Sequence, residues 1–229
     1  MIPLRVDILR SRTALCNLLL ITLNLFAFFY ELSLSPKAGQ ALVYTFGLIP
    51  AHEQFLFARH GGLGVAQMVI PMITSMFLHG GWMHLLGNML FLWVFGGSVE
   101  DALGHAQYFI FYFICGIGAA LTHIVFNWGS KVPTVGASGA ISGVMGAFIV
   151  LYPRSKVTTL IPALFLFFTV RIPAVLMLGY WFFLQLFSGV ASVAAANQSG
   201  VAWWAHVGGF VLGAILVIGE RRQLRPKLA

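Results

Sequence analysis

Acidic side chains are scarce. Asp and Glu number six in 229 residues, against 13 Lys and Arg, and charges of both signs make up only 8% of the chain. That excludes an ordinary soluble domain, in which about a quarter of the residues are charged. The six acids are Asp7, Glu31, Glu53, Glu100, Asp101 and Glu220, and none falls mid-span near the outer third of an apolar run. Hydrolysis by paired intramembrane carboxylates is therefore excluded, and no His-Glu-x-x-His sequence suggests a zinc centre. Cysteine is equally sparse: Cys16 and Cys115 both lie inside apolar runs. They offer neither a disulfide framework nor metal-type spacing. No metal or cofactor is expected.

What the chain has in abundance is apolar surface, at 59% hydrophobic residues and a mean hydropathy of +0.91. This is the composition of a polytopic membrane protein. The net charge of +7 does not point to nucleic acid, because the basic residues sit in short clusters between apolar runs, as cytoplasmic loops do. Six spans are expected, at about 14–33, 84–99, 106–127, 138–152, 172–191 and 204–219, in a single domain covering 1–229. The first run is too long for a signal-peptide core and lacks a small-residue cleavage site, so it reads as a retained helix with its N-terminus inside. Residues 35–79 form an outer loop whose apolar part, 66–78, is too short to cross and lies in or on the membrane. One stretch poses a topological choice. If 157–170 crossed, the basic tail Arg221, Arg222, Arg225 and Lys227 would face out. With 157–170 on the inner surface, both termini and ten of the 13 basic residues are inside, which obeys the positive-inside bias.

The stretch Thr134-Val-Gly-Ala-Ser138-Gly-Ala-Ile-Ser142-Gly-Val-Met-Gly146 turns a polar loop into a glycine-lined helix that begins at a serine. First-turn N–H groups lack intrahelical acceptors and carry the positive end of the helix dipole, so an oxyanion forming at Ser138 would be stabilised. Gly136 and Gly139 leave room for a substrate backbone, and Gly139, Gly143 and Gly146 form a groove for close helix packing. This helix is short for a span, which sinks Ser138 below the outer surface. His206 opens the last span at similar depth, followed by Gly209 and Gly213 in a G-x-x-x-G stripe. Histidine takes a proton near neutral pH, so it suits a base for serine. His84 and Asn88 stand one helical turn apart and point the same way, two donors that are costly to bury unless they face a partner or a wet cavity. Glu100 and Asp101 read as structure at the inner end of the second span, and His79, His105 and His123 as packing or loop residues.

Three motifs then carry a family resemblance over nearly the whole chain. His79-Gly-Gly-Trp-Met-His84-Leu-Leu-Gly-Asn88, Gly136-Ala-Ser138-Gly-Ala and Ala205-His206-Val-Gly-Gly209-Phe-Val-Leu-Gly213 stand in the order found in rhomboid intramembrane serine proteases of the compact six-helix type. The resemblance implies an all-α bundle that cleaves transmembrane segments of other membrane proteins within the lipid bilayer. It implies Ser138 as nucleophile, His206 as base and acid, and an oxyanion hole of the Ser138 N–H with the His84 and Asn88 side chains. It also implies a multi-pass protein of a bacterial inner membrane with cytoplasmic termini. Two positions depart from the family pattern. Ala58 precedes Arg59 where some members have tryptophan, and Ser142 stands where some place a tyrosine on the histidine. The alternatives are a catalytically silent rhomboid-like binder of membrane proteins and a transporter. Retention of both Ser138 and His206 argues against the first, and the lack of repeated halves or an ionisable path argues against the second.

Overall fold

The computed structural model describes residues 1–60, 65–163, 166–194 and 202–219. Four of its helices are long and apolar enough to cross a membrane: α1 (Leu15–Ser33), α5 continuing into α6 (Trp82–Leu103), α7 (His105–Phe126) and α9 (Ala174–Ala194). Helices also fill the other two stretches expected to span, but α8 (Ser138–Leu151) and α10 (Trp203–Leu216) have only 14 residues each. At about 1.5 Å per residue they measure roughly 21 Å, short of a hydrocarbon core of about 30 Å. A six-span count by length is therefore not met. The basic tail and most of the stretch between the expected spans 172–191 and 204–219 lie outside the described residues.

The stretch expected as an outer loop folds as short helices, α2 (Pro36–Phe46), α3 (Pro50–His60) and α4 (Val65–Thr74), followed by a 3-10 turn, Ser75–Phe77. Proline at the first position suits α2 and α3, because the missing N–H has no acceptor there. Ser35 caps α2 by accepting from the Ala38 N–H at 3.4 Å. On α3, Glu53 is 1% exposed and neither carboxyl oxygen has a partner. Burial pushes this carboxyl up to about 7.

α1 has no side-chain cap of its own, and residues near the end of α6 supply one. Glu100 accepts from the N–H groups of Cys16 and Asn17 at 2.9 and 2.7 Å, while Asp101 takes those of Ser11 and Arg12 at 3.1 and 2.8 Å. Two carboxylates at the positive end of a helix stabilise it. The α5–α6 helix widens into a π turn over Leu92–Gly96. Asn17 Nδ2 donates to the Leu92 carbonyl at 3.1 Å, and its Oδ1 accepts from Tyr108 at 2.7 Å, so the disturbed ladder is satisfied within the core.

The expected all-α class describes most of the chain, with one exception in the stretch expected on the inner surface. The fold is mostly helical, but β1 (Ile2–Val6), β2 (Lys156–Ala163) and β3 (Leu166–Pro173) form an antiparallel sheet in the order β1-β2-β3. Residues 157–163 and 166–170 thus lie in two paired antiparallel strands. Threonine, valine, isoleucine and phenylalanine favour the pleated surface, and Pro162 and Pro173 disfavour a helix there. The β1–β2 register slips between Pro3 and Arg5, where proline has no N–H to donate. Beside the sheet, burial would raise the Asp7 carboxyl, but bonds from the Ser155 hydroxyl and the Lys156 N–H outweigh it and hold the group below its usual value.

α8 is the axis of the molecule, with every residue from Gly139 to Phe148 buried. Its glycines let α10 approach backbone to backbone. A Cβ at Gly209 would stand 2.0 Å from the Gly139 carbonyl oxygen, and one at Gly213 2.0 Å from that of Gly143. α7 closes the same groove, since a Cβ at Gly139 would meet that of Ala119 at 2.7 Å. Small-residue contacts of this kind associate helices where burial in lipid provides little driving force.

Candidate active site

Ser138 is the first residue of α8, and His206 lies in the first turn of α10. The glycine ladder brings these two starts together, and His206 Nε2 is 2.7 Å from Ser138 Oγ. Both line a cavity of about 430 Å³, together with His84, Asn88, Met145 and Trp181. The four side chains that sequence reasoning assigned to the chemistry therefore share one cavity.

The loop before Ser138 is fixed at several points. The Thr134 backbone pairs with Leu48 through N–H bonds of 3.0 and 2.8 Å, and its hydroxyl stands 2.9 Å from His123 Nε2. The Gly136 N–H donates to the Ser75 carbonyl at 2.8 Å. Gly136 has φ +123°, a conformation that L side chains rarely adopt, and a Cβ there would lie 2.6 Å from His84 Nε2. Glycine is required twice over at this position. Gly139 and Gly209, expected near the site, belong to the α8–α10 ladder.

His84 and Asn88 project from the first turns of α5. Gly80 N–H donates to His84 Nδ1 in a long contact of 3.4 Å, which leaves His84 Nε2 to carry the proton toward the Gly136 side. Asn88 is 8% exposed, and its Nδ2 is buried without a partner. A buried amide that lines a cavity with unspent donors is costly unless something accepts from it there. Behind this pair, the His79 ring meets the His84 ring at 5.2 Å, and the His79 N–H donates to Glu31 at 3.2 Å. Glu31 is thus engaged away from Ser138 and His206. His123 and His79 hold loop and ring positions, as expected, and His105 bonds Glu100.

Sequence reasoning missed what holds the histidine. Ser142, at the position of the family tyrosine, bonds back to the Ser138 carbonyl at 2.6 Å instead. Two residues of α9 take over: Trp181 sets its ring 5.8 Å from that of His206, and Gln185 Oε1 stands 2.7 Å from His206 Nδ1. The available signal was their four-residue spacing, the same as that of His84 and Asn88, within an otherwise apolar run. Among the described residues Cys16, Glu100 and His105 also gather closely enough to suggest metal donors. Glu100 uses both oxygens on the α1 N–H groups, so a structural role accounts for that cluster.

The rhomboid-domain family model matches residues 66–223, and the chain belongs to the rhomboid family. It is similar to rhomboid protein 1, mitochondrial, of Saccharomyces cerevisiae, at 32% identity over 171 residues, 70% of this chain and 46% of that protein. It also resembles presenilin-associated rhomboid-like protein A, mitochondrial, of Danio rerio, at 31% over 47% of this chain and 29% of that protein. Rhomboid protease GluP of Bacillus subtilis is 38% identical over 34% of this chain and 15% of its own length. The chain spans less than half the length of each of these relatives. The two longer matches carry mitochondrial names, so the expectation of a bacterial inner membrane has no support here.

Proposed function

We propose that this chain is a serine endopeptidase that cleaves transmembrane segments of other membrane proteins by a Ser138–His206 dyad. The observation that carries the reading is the 2.7 Å contact between His206 Nε2 and Ser138 Oγ, in a cavity that also holds the unspent Asn88 amide. His206 accepts the Ser138 proton as Oγ attacks the scissile carbonyl, and the carbonyl oxygen becomes an oxyanion. Three donors then face that charge: the Ser138 N–H at the start of α8, Asn88 Nδ2 and His84 Nε2. Donors fixed in advance cost no reorganisation when the charge develops. The imidazolium protonates the leaving amine as the C–N bond breaks, leaving an acyl ester on Ser138. Water, deprotonated by His206, attacks that ester and releases the second product.

The same reading takes 1–229 as one protease domain in a bilayer, with β2 and β3 on the side of the N-terminus. Pairing of β1 with β2 supports this, because it ties the first residues to the loop after α8. No nucleic acid and no cofactor enters the mechanism. The test is labelling by a fluorophosphonate probe in detergent or liposomes. The protein should label and Ser138→Ala should not. Absence of labelling in folded protein would favour the silent binder.

A further inference from the structure

We infer that Gln185 is a positioning residue for the general base, an inference that rests on the reading of Ser138 and His206 as nucleophile and base. Its Oε1 lies 2.7 Å from His206 Nδ1, and the side chain is 7% exposed. An amide oxygen has no proton to give, so this contact requires the imidazole proton on Nδ1. Nε2 is then bare and faces Ser138 Oγ at 2.7 Å. In the other tautomer Nε2 would already carry a proton and could take none from serine. The ring nitrogen that bonds outward thus decides what the inward one can do.

A carboxylate fills this place in a Ser-His-Asp triad, where it fixes the tautomer and stabilises the imidazolium. Among the described residues, the hydrogen-bond partners of the His206 ring are Gln185 and Ser138, neither of them a carboxylate, and the ionisable groups whose charge bears on it are His84 of α5 and His123 of α7. A neutral amide supplies orientation without full charge. Trp181, one turn earlier on α9, adds an apolar wall beside the ring. α9 therefore holds the base from one helix face with two side chains. α8 and α10 supply the reacting pair itself.

A merely structural bond between α9 and α10 would have the same geometry but different consequences, and two variants of the full chain separate them. The readout is the rate constant for Ser138 labelling by a fluorophosphonate, per folded molecule, as a function of pH. Gln185→Leu keeps the bulk and removes the acceptor, and labelling should slow by about tenfold, the worth of one buried hydrogen bond. Gln185→Glu keeps the shape and adds a carboxylate that stabilises the imidazolium. Labelling needs the neutral ring, so its acidic limb should move to higher pH while the rate at alkaline pH survives. If both variants label at the wild-type rate with an unmoved acidic limb, the inference is overturned and the dyad stands. Should Gln185→Leu fail to fold, the acidic limb of Gln185→Glu decides alone. A wild-type protein that does not label overturns the dyad itself, which is a separate result.

Discussion

Asn88 is the residue whose surroundings ask most directly for a partner. Its Nδ2 is buried and unspent, one turn beyond a histidine whose Nδ1 is already engaged by Gly80. If both serve an oxyanion, Asn88→Ala and His84→Ala should each lower kcat for a transmembrane substrate by roughly a hundred- to a thousandfold, about 3 to 4 kcal/mol. Substrate binding should change less, and phosphonate labelling of Ser138 should persist more weakly. Were the pair only a helix tie, both variants would lose thermal stability and keep normal turnover per folded molecule. These residues were legible in the sequence because their chemistry imposes a spacing: His84 to Asn88 is one turn, and Gly136 and Ser138 bracket a helix start. Gln185 was missed: it stands one turn after Trp181, but an amide in a long apolar run has no identified target until α9 is seen beside His206.

Among elements, the α8–α10 contact sets the distance on which the dyad depends. Gly139 follows Ser138 directly, and Gly209 lies three residues past His206, so the rung of the ladder nearest the dyad also fixes the separation of the two helix starts. A Cβ at Gly209 would stand 2.0 Å from a backbone oxygen, which no side-chain rotation relieves. Gly209→Ala should therefore push the helices apart, costing about 1 to 3 kcal/mol of stability, and should reduce turnover more than the loss of folded protein explains. Thermal unfolding in detergent, measured beside kcat per folded molecule, checks both parts. Equal turnover in the folded fraction would mean that the ladder does not position the dyad. The stripe itself was readable as periodic glycine. The sheet was not: 157–170 is apolar with basic flanks, a pattern that a surface helix and a hairpin share. Its strand partner β1 lies some 150 residues away in the sequence, beyond the reach of any local signal.

At the scale of the whole molecule, the sequence conveyed a membrane protein with six apolar helical stretches, through composition and the positive-inside bias. It could not convey their lengths well enough to count crossings, since helix ends inside a protein are set by packing rather than by hydropathy. α8 and α10 stop after 14 residues each, and their short lengths place two helix starts, 65 residues apart in the chain, around one cavity. The central claim is that this arrangement makes Ser138 and His206 one chemical unit. The most direct test is cleavage of a single-span substrate in liposomes by the wild type, Ser138→Ala, His206→Ala and the double variant, each normalised to folded protein. Residues that act as a unit are non-additive. Each single variant should therefore lose essentially all turnover, and the double variant should be no worse. Full activity in either single variant, or losses that add in the double, would contradict the account.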